Sequence, residues 1–143
     1  IAGSIRRQRP DPGDIEILCV PSWPLAFDLT ITKLMQEGVL AKRPNAKGHY
    51  TFGSLNKLMV HVPSGIALDL FSTTAANWGM SLVVRTGPAE FNIKVMARLR
   101  SLGLVGHGYG GVTDALGVDH ACPTEDDVFK WLRWVYIAPE RRK

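Results

Sequence analysis

Gly3-Ser4-Ile5-Arg6-Arg7 is followed, after a turn, by Gly13-Asp14-Ile15-Glu16-Ile17-Leu18. The second part of that stretch alternates. Ile15 and Ile17 take one face while Asp14, Glu16 and Leu18 take the other, which is the period of a β-strand running from Asp14 to Val20. Pro10-Asp11-Pro12-Gly13 stops any helix before it, and Pro21 to Pro24 ends it. Two residues apart on a strand, the carboxylates of Asp14 and Glu16 leave the same face. Like charges at such positions raise each other's pKa unless positive charge intervenes. A divalent cation answers that repulsion, and hard oxygen ligands suit Mg²⁺ or Mn²⁺.

Outward from this strand the chain reads as α+β. Ile1-Ala2 reads as the tail of a strand, and Gly3-Ser4 as a turn into a short segment carrying the arginines. Leu25 to Glu37 has helical spacing, with Leu25, Leu29, Ile31, Leu34 and Met35 as its apolar residues and Gly38 at its C-terminal end. Val39 to Arg43 and His49 to Phe52 predict a hairpin around Asn45-Ala46-Lys47-Gly48, and Lys57 to Val62 with Ile66 to Phe71 predict a second around Pro63-Ser64-Gly65. A helix is expected from a Thr73 N-cap to Val84. Another follows Thr86-Gly87-Pro88, with Phe91, Val95, Leu99 and Leu102 as its stripe. The glycine-rich run Gly106 to Gly111 predicts a tight loop with short strands nearby. Thr124 to Asp127 is a capping box for a last helix reaching about Trp134. Trp23, Trp78, Trp131 and Trp134 are read as core anchors. Together these elements predict a mixed or antiparallel sheet with helices.

The totals set limits. With 143 residues and ordinary apolar content, the chain can bury a core of one domain, or one domain with a small addition. No run is long enough to span a bilayer, so no membrane partner and an intracellular location are expected. Cys19 and Cys122 show no zinc-ligand spacing and are read as free thiols. A net charge of +4 is a mild basic bias that suits a nucleic-acid or nucleotide partner.

The chemistry rests on a third acid. Asp69 sits in Ala67-Leu68-Asp69-Leu70-Phe71, and a strand there beside the first makes a three-carboxylate cluster. Such a cluster holds two metal ions, one activating a hydroxyl and one binding a triphosphate. Gly3-Ser4 offers N–H groups and a hydroxyl to phosphate, and Arg7 a planar fork. An acidic pair alone more often marks a solvated face. The joint order of Gly-Ser, arginines, acid pair and later strand acid points to a site.

This order resembles the nucleotidyltransferase signature and, in detail, that of the family X DNA polymerases. Arg85-Thr86-Gly87-Pro88-Ala89-Glu90-Phe91-Asn92 is similar to the family's Tyr-Phe-Thr-Gly-Ser-x-x-Phe-Asn segment, and Thr124 to Tyr136 with Pro139-Glu140-Arg141-Arg142 to its C-terminal segment. The resemblance implies a nucleotidyltransferase palm over residues 1–86 and a small nucleotide-binding, thumb-like subdomain over 87–143. It implies DNA-directed transfer of a nucleotide from a deoxynucleoside triphosphate to a DNA 3′-hydroxyl, on primer-template or gapped DNA, as in short-gap repair. Asp14, Glu16 and Asp69 would hold two Mg²⁺ or Mn²⁺ ions, with Asp69 activating the hydroxyl. Gly3, Ser4, Arg7 and Gly13 would touch phosphates, Thr86 and Gly87 the sugar, and Asn92 the base edge. Lys57, Arg85 and Lys94 would lie along the nucleic acid, and the protein would act as a monomer. The sequence departs from the pattern at Glu16, where the family has Asp, at Val84-Arg85 in place of Tyr-Phe, at Pro88 in place of Ser, at Met96 in place of Arg, and at Ala67, where a basic residue precedes the third carboxylate. No helix-hairpin-helix or lyase-type segment is read in it. Alternatives are a non-templated transferase, or one acting on RNA, a small molecule or a protein, and a catalytically weak nucleic-acid binding module.

Overall fold

The computed structural model describes all 143 residues, Ile1–Lys143. The alternating segment forms β1 (Asp14–Cys19), reached from a short helix α1 (Gly3–Arg6) through the Pro-Gly turn. Helix α2 (Pro24–Gln36) follows with Pro24 at its first position, then β2 (Leu40–Lys42), β3 (Asn56–His61) and β4 (Ile66–Ser72). The order across the sheet is β1-β4-β3-β2, with β1 parallel to β4 and the other pairs antiparallel. Helices α3 (Trp78–Thr86) and α4 (Ala89–Ser101) come next. A small antiparallel sheet of β5 (Val105–Gly106), β6 (Val112–Thr113) and β7 (Asp119–His120) precedes α5 (Glu125–Leu132). The fold is therefore α+β with one mixed and one antiparallel sheet.

Two apolar cores hold these layers. Ile31, Leu40, Met59 and Leu70 join α2 to one face of the large sheet. Met80, Val83, Phe91, Val95, Leu99, Val112, Val128, Phe129 and Leu132 join α3, α4, α5 and the small sheet. Because β residues alternate, packing α2 on the Ile15/Ile17/Leu68/Leu70 face leaves the Asp14/Glu16/Ala67/Asp69 face for α1 and α3. The acidic face is thus chosen by where the apolar residues go.

Several local expectations change. Ala2 is extended, but while its N–H donates to the Glu16 carbonyl at 2.8 Å its carbonyl accepts from the Arg6 N–H at 3.2 Å to start α1, so no strand forms there. β2 pairs with β3 rather than with His49–Phe52, which meets the chain after β2 through a bridge between Pro44 and Tyr50 and, through the Phe52 ring, the Lys42 ammonium at 4.3 Å. The Thr73 hydroxyl shares a hydrogen bond with the buried Ser81 hydroxyl at 2.8 Å. It therefore caps nothing, and the helix begins only after a 3-10 turn over Ala75–Asn77. Leu25 and Leu29 are 73% and 60% exposed and Trp23 is 78% exposed. The buried stripe of α2 is instead Phe27, Ile31, Leu34 and Met35. The Thr124 cap stands, with its side chain accepting from the Asp127 N–H and Asp127 accepting from Thr124 in return. Both cysteines are free.

Candidate active site

Strand register assembles the acids. Glu16 lies directly opposite Asp69 across the parallel β1–β4 pair, with Asp14 opposite Ala67 on the same face. The Glu16 carboxyl leans over α1. Gly3 has φ +61°, a backbone conformation that favours glycine, and a Cβ there would lie 1.6 Å from Glu16 Oε2, so any side chain would push that carboxyl aside. Burial, with the charges of Asp14 and Asp69 added, pushes the Glu16 carboxyl up to about 7, and Arg7 and Arg85 only partly offset this. Asp69 is also raised, because its burial outweighs the Arg43 guanidinium beside it.

Arg43 is the residue that sequence reading missed. It follows β2, whose place at the far side of the sheet is visible only in three dimensions. Its Nη2 donates to Asp69 Oδ1 at 2.6 Å and stands 4.0 Å from Asp14 Oδ2. The positive charge expected next to the third carboxylate, and missing at Ala67, comes from here. A second arginine, Arg85 at the end of α3, stacks between rings, 4.0 Å from the Phe71 centroid and 4.6 Å from that of Tyr109.

Of the residues read as phosphate contacts, Gly3 and Ser4 lie on α1 and Arg7 at its end. Ser4 Oγ, on α1, is sequestered without a hydrogen-bond partner. Arg7 Nη1 donates to the Thr86 carbonyl, and Arg7 Nε has no partner. Arg6 Nη1 donates to Thr86 Oγ1 at 2.7 Å. Thus α1 is bound to the Thr86-Gly87 turn. Gly13 lies in the turn before β1 with open space where a side chain would stand. Gly87 has none, since a Cβ would meet Asn92 and Phe91 at 2.8 Å.

Three expected contacts point elsewhere. Lys57 is opposite Leu70, on the α2 face of the sheet, one residue out of step with the face that carries Asp69. It is 2% exposed, with its ammonium on Asp28 and the Gly53 carbonyl, both at 2.8 Å. It cannot reach a nucleic acid from there. Asn92 donates to the Val84 carbonyl at 2.7 Å, closing the end of α3 rather than offering its amide to a base. The exposed Lys94 ammonium donates to the carbonyl of Lys143.

The donor types suit a divalent cation, being hard oxygens brought to neighbouring strands in register. No three acidic, histidine or cysteine side chains converge as a ready-made metal site, and Asp69 Oδ1 is already taken by Arg43. For Asp14, Glu16 and Asp69 to act as a ligand set, Arg43 would have to release Asp69 Oδ1. Of the two arginines at the end of α1, Arg6 and Arg7, Arg6 is committed away from this face. It forms a two-pronged pair with Glu125 at 2.8 Å on both arms, and Arg142 joins the same carboxyl at 2.8 Å. A scan against protein-family models gives no match, and no curated protein matches the chain.

Proposed function

We propose that this chain is a nucleotidyltransferase of the family X polymerase type, its large sheet acting as the palm and the unit around α4 and α5 as the nucleotide-side subdomain. The observation that carries the reading is the register of Glu16 against Asp69, with Asp14 on the same face and a partnerless Ser4 hydroxyl at the adjoining helix. Asp14, Glu16 and Asp69 would hold the divalent ions, which when bound supply charge stabilisation to the transferring phosphate and lower the pKa of the attacking hydroxyl. Asp69 would be the carboxylate that accepts that proton, as the resemblance implies. Ser4 and Arg7 would donate to phosphate oxygens once a shift of α1 uncovers the Ser4 hydroxyl and the Arg7 Nε–H, both shut away without partners. The wall formed by Phe71 and Arg85 shields the carboxylates on one side and keeps a cation near the developing charge.

The inward positions of Lys57 and Asn92 favour a second reading within the same chemistry. Two side chains expected to hold a templated duplex and its base pair are engaged in the fold, so transfer without template selection fits them better.

Primer extension on gapped, blunt and single-stranded DNA, with Mg²⁺ and with Mn²⁺, tests both readings. Template-ordered incorporation supports the first, and incorporation independent of template the second. DNA binding without incorporation under either metal leaves only a binding module. Asp69→Ala is expected to abolish transfer while leaving triphosphate binding within about threefold, because it removes the activator and not the cradle. Full activity in that variant sinks the site assignment.

A further inference from the structure

The large apolar side chains left in water gather at one place, the start of α2. Trp23, Leu25 and Leu29 are each more than half exposed, and Val20 and Leu55 are exposed as well. Leu25 and Leu29 stand one turn apart on the outer side of α2, away from its packed stripe. Val20 and Leu55 line a cavity of about 340 Å³ that opens where β1 and β4 end, with Pro21, Pro24 and Phe27 as further apolar walls. Trp23 sits on the chain between two of those walls, Pro21 and Pro24, yet does not itself line the cavity. A protruding indole and an apolar hollow therefore lie side by side on one face. The five side chains expose on the order of 500 Å² of apolar surface, the upper end of what a monomer leaves in water.

We propose that this face joins two copies of the chain across a twofold axis, the indole of each Trp23 seated in the cavity of the other copy. A twofold contact brings one patch against itself, so the patch must carry both the projection and the hollow that receives it. This one does, whereas a foreign partner would have to supply both. The hollow lies in the volume range that takes a small aromatic ligand, and so takes one indole. Charge points the same way. Asp28 in the cavity wall is paired with Lys57 at 2.8 Å, and Lys33 and Glu37 pair at 3.8 Å at the far end of α2. The chain carries +4 in all, but this face carries no net charge, so it meets its own copy without repulsion and offers nothing to a phosphate or an acidic surface. Two copies meeting on it bury about 1,000 Å² before any polar rim is counted, which is where stable interfaces begin. Because α2 lies on the opposite side of the large sheet from Asp14, Glu16 and Asp69, the carboxylate face stays open in both copies. The pairing does not depend on the transferase reading.

Sedimentation equilibrium of the full chain, from micromolar to sub-millimolar concentration, should show a reversible equilibrium between one and two chains and nothing larger. Tryptophan emission should move to shorter wavelength as the dimer fills, and Trp23→Ser should remove that movement. Trp23→Ser, Leu25→Glu and Leu55→Trp, the last filling the cavity, should each weaken pairing about tenfold or more. All three positions are exposed, so the variants keep the near-ultraviolet circular dichroism of a packed core. Trp23→Ser retains an empty cavity and Leu55→Trp retains the projecting indole. An equimolar mixture of the two therefore restores one of the two contacts and should pair more tightly than either variant alone. A chain that stays single at sub-millimolar concentration, a dimer unchanged in Trp23→Ser, a mixture no tighter than its components, or growth beyond two chains would overturn the proposal. So would a single chain that sediments with phosphatidylcholine vesicles, which gives the face to a bilayer instead.

Discussion

Glu16 and Glu125 are the same side chain in two opposite electrostatic settings. Glu16 shares its face with two other carboxylates, and its carboxyl is pushed up to about 7, by burial first and then by Asp14 and Asp69. Burial would raise Glu125 too, but hydrogen bonds from Arg6 and Arg142, and the charges of both, hold it at about 2. Tyr136 donates to it as well, at 3.0 Å. One centre is short of positive charge and the other is saturated with it. Saturation marks a group whose task is to hold the fold, since its carboxylate already accepts from two arginines and a tyrosine. Shortage marks a place where an incoming cation gains energy.

The sharpest way to break the contrast is to remove the saturated member. Glu125→Ala strands Arg142, which is 1% exposed, and leaves Arg6 with only Thr86. Breaking a buried pair in this way costs about 3–5 kcal/mol. Urea denaturation of the variant should show that loss. A loss below about 1 kcal/mol would mean that the network is idle and that α1 is held by other contacts.

Acidity probes both centres in one experiment. Glu125 is depressed in the folded state, so its contribution is present above its ordinary value near 4.5 and is lost as pH falls toward about 2. That limb corresponds to about 3 kcal/mol. Glu16 is raised, so the folded state keeps a proton that the unfolded chain gives up. Metal-free stability should therefore fall as pH climbs from about 4.5 to about 7, and Glu16→Gln should flatten that decline without altering the acid limb. An unchanged decline in Glu16→Gln would remove Glu16 from the charge-poor centre.

Gly3→Ala tests how Glu16 is held. The left-handed backbone at Gly3 costs an alanine roughly 1–2 kcal/mol, and its methyl would displace the Glu16 carboxyl. A loss of about that size in thermal or urea unfolding is expected, together with a lower apparent pKa for Glu16 as its carboxyl moves toward water. Stability equal to the parent chain would mean that α1 is free to shift.

The acidic face and the strands that build it were legible because alternation is written directly in Asp14–Leu18 and Ala67–Phe71. So were the last two helices, whose caps and stripes are local. What escaped is non-local. The charge on Asp69 comes from Arg43, on the other side of the sheet, and a sequence pattern holds no information on which strand lies between them. Glu125 reads as an ordinary first-turn acid, since its burial depends on Arg6 arriving from the other end of the chain. The resemblance puts Lys57 along the nucleic acid, but its register opposite Leu70 turns it to the α2 side, one residue being the whole difference between faces in a strand. Leu25 and Leu29 fit the helical spacing and Trp23 reads as an anchor, yet the stripe of α2 that packs is Phe27, Ile31, Leu34 and Met35.

Arg43 is where the charge-poor centre is most finely balanced. Its guanidinium bonds one oxygen of Asp69 and stands at the edge of contact with Asp14, while Glu16 receives nothing from it directly. A divalent ion must displace it to use the same oxygen, so Arg43 competes with metal rather than assisting it. Removing the side chain leaves no buried charge behind other than carboxylates that metal can satisfy. Arg43→Ala is therefore expected to bind Mn²⁺ about three- to tenfold more tightly, as read by calorimetry, an effect of roughly 1 kcal/mol set by one partly screened ion pair. Arg43→Lys, which keeps the charge but not the planar fork, should fall between the two. Weaker Mn²⁺ binding in Arg43→Ala would show that the arginine organises the carboxylates instead of occupying them. The shortage at Glu16 would then be a property of the whole face and not of one missing partner.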